Sequence, residues 1–94
     1  MRTIWKFPLP LLGDWVVSMP RYSRILAVQT QANVPMLWAE VDDLQPSVDR
    51  HFEIHGTGHH LPGDPHARTY LGTIQTDGGQ FVWHIYELEE GRTP

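Results

Sequence analysis

Apolar and polar residues alternate along most of this chain, and the alternation is broken at short intervals by proline, glycine and asparagine. TIWKFPL (3–9) begins as a strand and is stopped by Pro8 and Pro10; DWVVSM (14–19) ends at Pro20. SRILAVQTQ (23–31) and PMLWAEVD (35–42) are rich in β-branched and aromatic residues, with QANVP between them as a hairpin connection. DRHFEIHG (49–56) and TYLGTIQT (69–76) flank a long loop, and TDGGQ (76–80) is a tight turn leading into QFVWHIYELE (80–89). No window sustains a helical period beyond a turn or two. The best helical candidate is DLQPSVDR (43–50), a single turn with Asp43 or Ser47 as its cap.

Seven short strands joined by short loops predict one all-β domain over residues 1–94, a small antiparallel sandwich or barrel-like sheet. Such a sheet has edges to protect, and four tryptophans are more than a domain this small buries deeply. Both features predict a homo-oligomer, in which a second copy covers an edge or an aromatic patch.

Composition narrows the chemistry. There is no cysteine, so disulfides, thiolate metal sites and cysteine nucleophiles are excluded. No apolar run is long enough for a membrane span, and MRTIWKFPLPLLGDW makes a poor signal peptide, so a soluble cytoplasmic protein is expected. The formal charge is −4, and seven scattered Lys and Arg form no basic stripe, which argues against duplex nucleic acid. A small anionic ligand stays open, because backbone amides and one or two cations suffice to hold it.

Five of the six histidines fall within HFEIHGTGHHLPGDPHAR (51–68). On a strand, Phe52 and Ile54 take one face while His51, Glu53 and His55 take the other. Two imidazoles around a carboxylate are a conceivable metal arrangement for a hydrolase; equally, they are the polar face that any half-buried strand needs. HGT (55–57) is a single His-x-Thr where two-histidine phosphoesterases need two, and no nucleophile elbow surrounds any serine. A non-enzymatic protein without cofactors is therefore expected. GTGHH (56–60) offers more: Gly56 and Gly58 allow amides to turn toward a common point, Thr57 adds a hydroxyl, and His59, His60 and Arg68 add donors or charge. The same residues would also serve simply to end a strand and begin a loop. Among the aromatics, Phe81, Trp83 and Ile85 share a core-facing side, whereas His84 and Tyr86 share the other with Val82 and Leu88. Trp38 or Tyr86 could stack a base.

The segments TIWKFPL, ILAVQTQ, PMLWAEVD, HFEIHGTGH, YLGTIQ and FVWHIYE together resemble a family of small uncharacterised proteins of bacteriophages and prophages, over residues 3–88. The opening I-W-K-F-P-L, the central L-W-A and the G-T-G-H segment carry most of the resemblance. It implies phage origin and action in the cytoplasm of an infected bacterium, and supplies no catalytic residues. Small phage proteins often act in counter-defence, for instance as oligomeric sponges that sequester a signalling nucleotide. The expected function is such a binding protein, with Gly56, Thr57, Gly58, His59, His60, Arg68, Trp38 and Tyr86 at the ligand. Alternatives are a minor virion component, or a module meeting a host protein through Trp5 or Trp38.

Overall fold

In a computed structural model describing residues 1–10 and 13–89, the chain forms two antiparallel sheets. The strands are β1 (Arg2–Pro8), β2 (Gly13–Pro20), β3 (Arg24–Gln31), β4 (Val34–Asp42), β5 (Ser47–Gly56), β6 (Arg68–Thr76) and β7 (Phe81–Leu88). Their order is β1-β4-β3 in one sheet and β2-β5-β7-β6 in the other. The all-β reading and its seven strands are therefore observed.

The core lies between the sheets, where Leu37, Ala39 and Val41 of β4 meet Phe52 and Ile54 of β5, Ile74 of β6 and Ile85 of β7. These residues alternate with outward-facing Trp38, Glu40, Glu53, His84 and Tyr86, so strand period alone sorts the two faces. Trp15 of β2 stacks on Phe52, and Trp83 packs against the core while its indole N–H donates to Thr76 Oγ1.

Two details depart from the sequence reading. Residues 43–50 form no helical turn: the Asp42 carboxylate accepts from the Leu44 N–H, and from Ser47 onward the chain enters β5. Pairing with β2, from Pro20 opposite Ser47 to Val16 opposite His51, draws this segment into the ladder. The second departure is TDGGQ, which is not a two-residue turn. Thr76 pairs with Phe81, and Asp77, Gly78 and Gly79 between them all take positive φ. The two-residue hairpin turn is instead Ala32–Asn33, both left-handed, between paired Gln31 and Val34.

One flank of the sandwich is closed. There β3 runs against β6, and a Cβ on Gly72 would collide with Val28, so only glycine allows this approach. Thr30 donates to the Gln75 carbonyl, and the tips of two hairpins exchange hydrogen bonds, Asn33 Nδ2 to Asp77 Oδ1 and Asp77 N to Asn33 Oδ1. At the other flank, among the described residues, β1 pairs only with β4 and β2 only with β5, leaving two strand edges without a partner strand.

Candidate functional site

The loop after β5 folds back over the outer face of the four-stranded sheet, which would otherwise face water. Beneath it lies Glu53, whose side chain is 1% exposed although it points away from the core. Burying a carboxylate so completely requires a partner. Arg68 of β6 supplies it: the guanidinium reaches across β7, passes 5.9 Å from the Tyr86 ring centroid and places Nε 3.1 Å from Glu53 Oε1. The same guanidinium donates to the Pro62 carbonyl, so one side chain fastens the loop to the sheet. Asp64 caps the short 3-10 turn Pro65–Ala67 by accepting from the His66 N–H, and buried Ala67 completes the return to β6.

At the edge of this roof is a pocket of about 150 Å³, lined by His55, Gly56, Thr57, Gly58, His59, Leu61, His84 and Tyr86. His84 stands between two hydroxyls, Thr57 Oγ1 at 2.8 Å from Nε2 and Thr73 Oγ1 at 3.1 Å from Nδ1, and Thr73 continues the chain to Tyr70. His59 turns back on its own loop. Its Nδ1 accepts from the Gly56 N–H at 3.3 Å, and a Cβ on Gly56 would lie 2.8 Å from the ring. A neutral imidazole that accepts at Nδ1 carries its proton on Nε2, which is then a donor. His55 Nε2 is 3.3 Å from Glu53 Oε1 but makes no hydrogen bond among the described residues.

The residues singled out from the sequence are partly assembled here. Gly56, Thr57, Gly58, His59 and Tyr86 line the pocket, and His60 lies exposed on the same loop. Two of the three amides in the Gly-Thr-Gly stretch already have partners, since the Gly56 N–H meets His59 and the Thr57 N–H donates to the Val82 carbonyl. Arg68 is present but its guanidinium is engaged by Glu53 and Pro62, so it positions the loop. Trp38 is not brought to the site: β4 carries it on the outer face of the other sheet, across the core. Nor do His51, Glu53 and His55 converge on a metal. His51 is exposed, Glu53 faces the Arg68 cation, and the described residues contain no group of three His, Cys, Asp or Glu placed to hold one.

Thr73, Tyr70 and Leu61 are additions that the sequence reading missed. Thr73 was within reach, because counting outward from the turn that pairs Thr76 with Phe81 sets Thr73 opposite His84. Leu61 carries no such signal. A larger depression of about 430 Å³ lies at the opposite end of the sheet, beside Arg21, Tyr22, Arg50 and Glu87. Its central cation is committed: Arg50 makes two hydrogen bonds to Glu87, at 2.6 and 2.7 Å, and another to the Ser23 carbonyl.

Over residues 1–94 the sequence matches a domain of unknown function, DUF7352. The chain belongs to the DUF7352 family. No curated protein and no solved structure matches it. Among the described residues of this DUF7352 domain, no helix is long and apolar enough to cross a membrane.

Proposed function

We propose that this DUF7352 protein is a non-enzymatic binding protein that holds a small anionic, nucleotide-like ligand at the roofed end of its four-stranded sheet. The observation that carries this reading is the pocket itself, of about 150 Å³, where His55, His84 and the Thr57 hydroxyl come together on the outer face beside the loop that carries His59. That volume suits one phosphoryl group or one ring, not a whole nucleotide. The rest of a larger ligand would extend over the outer face, where Tyr70 is 57% exposed and packs edge-on against Tyr86 at 5.7 Å. Tyr70 thereby takes the stacking role that the sequence suggested for Trp38.

In this reading the Thr57 hydroxyl and the His55 and His84 imidazoles contact the anion, and Arg68 holds the loop in place. The buried carboxylate beneath the pocket, Glu53, is already paired with Arg68, which favours holding a ligand over turning it over. The resemblance to phage and prophage proteins supports a counter-defence role, sequestering a signalling nucleotide in the bacterial cytoplasm.

Adenosine monophosphate and inorganic phosphate are suitable probes, titrated while the histidine ring signals are followed by NMR. Both should shift His55, His59 and His84. Thr57→Val should weaken binding about tenfold, the scale of one lost hydrogen bond to a charged group. Histidine signals unmoved by millimolar amounts of either probe would overturn the reading.

A further inference from the structure

β1 is an edge strand of seven residues without a bulge, and among the described residues it is paired with a strand on one side only. Natural edges are usually blunted by charged side chains or proline. Here the two cations of the strand are exposed and each has a hydrogen-bond partner within its own sheet. Arg2 Nη1 reaches Glu40 on β4 at 2.9 Å, and Lys6 Nζ crosses β4 to Gln31 of β3 at 2.8 Å. The edge also presents one exposed apolar side chain on each face, Ile4 at 58% and Trp5 at 41%. Proline appears only at the last position, Pro8.

We infer that this edge is the pairing surface for a second copy of the same chain, β1 against β1 in antiparallel fashion with Trp5 on the two-fold axis. Residues directly opposite in an antiparallel pair project from the same face, so a two-fold axis must set one residue opposite its own copy. Three registers engage most of the strand. Centring on Ile4 places Arg2 opposite Lys6 of the other copy, and centring on Lys6 places two lysines face to face; like charges directly opposite destabilise a pair. Centring on Trp5 pairs Ile4 with Lys6, Thr3 with Phe7 and Arg2 with Pro8, using all seven residues and opposing no like charges. It also brings the two Trp5 rings together beside Phe7, which each already meets edge-on at 6.4 Å. The result is a continuous six-stranded sheet, β3-β4-β1-β1-β4-β3, that removes two of the four free edges of the pair. This surface lies on the other sheet from the roofed pocket, so the inference does not rest on the ligand reading.

Sedimentation equilibrium of the 94-residue protein and its charge variants tests the register. The wild type should have the mass of a dimer at about 100 µM, within the micromolar-to-millimolar range of modest interfaces. Ile4→Lys sets a lysine against Lys6 twice and should give monomer. Adding Lys6→Glu to Ile4→Lys converts both contacts to opposite charges and should restore the dimer, a recovery that a folding defect would not allow. Circular dichroism of each variant should keep the wild-type β-sheet signal. A monomeric wild type would overturn the inference. So would a dimer indifferent to Ile4→Lys but separated by Val16→Lys, which would place the interface on β2.

Discussion

Arginine meets glutamate on the outer face of each sheet, at nearly the same separation and in very different surroundings. Arg2 lies 2.9 Å from Glu40, with side-chain exposures of 65% and 36%; Arg68 lies 3.1 Å from Glu53, with exposures of 5% and 1%. The distances would rank the first pair slightly higher, yet burial decides the energetics. In water the attraction is screened and the side chains lose entropy to hold one geometry. Under the loop, each charge has given up its hydration and depends on the other. One outer face therefore tolerates change, and the other has been made into a second, polar interior.

Removing one partner is the strongest way to break this contrast. Arg68→Met should cost about 3–5 kcal/mol in urea unfolding, because Glu53 is left buried without its cation. Replacing both, Arg68→Met with Glu53→Leu, should recover most of that loss, since the penalty belongs to the orphaned charge. Arg50 and Glu87 are an intermediate rung, 22% and 20% exposed and tied by two hydrogen bonds. Arg50→Met is expected to cost about 2 kcal/mol. At the exposed end, Arg2→Ala should change the unfolding free energy by less than about 0.5 kcal/mol, and what change there is should vanish in high salt. A cost for Arg2 matching that of Arg68 would refute the contrast.

The smallest effect expected is at Asp42, where the Leu44 N–H hydrogen bond holds the carboxyl below the usual carboxylate range. A depressed carboxyl stabilises the fold above its unfolded pKa, and that contribution is lost as pH falls through the folded one. Titrating Asp42 by carbon-detected NMR should show the depression, and Asp42→Asn should flatten the acid limb of the stability curve slightly.

The sequence made the strands legible because a period of two marks every one of them. It also sorted the faces: Phe52 and Ile54 inward, His84 and Tyr86 outward. It did not show what covers a face. Glu53 read as a solvent-facing carboxylate because alternation says which way a side chain points and nothing about a loop returning from ten residues further on. The same limit explains Arg68, read as a ligand contact when its partner is Glu53. It explains Trp38 too, since no local pattern tells which sheet a strand joins. Pairings between distant strands, β1 with β4 and β2 with β5, leave no trace in either segment alone.

The exchange of hydrogen bonds between Asn33 and Asp77 bears on the order of folding. Among the described strands only β3–β4 and β6–β7 are local hairpins, each closed by a tight turn, and local contacts form before those that close long loops. The two turns bonded to each other belong to those two hairpins. The clamp can thus be made as soon as both hairpins exist, before β1 and β2 have found their places. Asn33→Ala should accordingly slow refolding in a stopped-flow chevron, whereas Trp5→Ala should act mainly on the unfolding limb. That pair of outcomes would place the start of folding at the closed flank and its end at the open one.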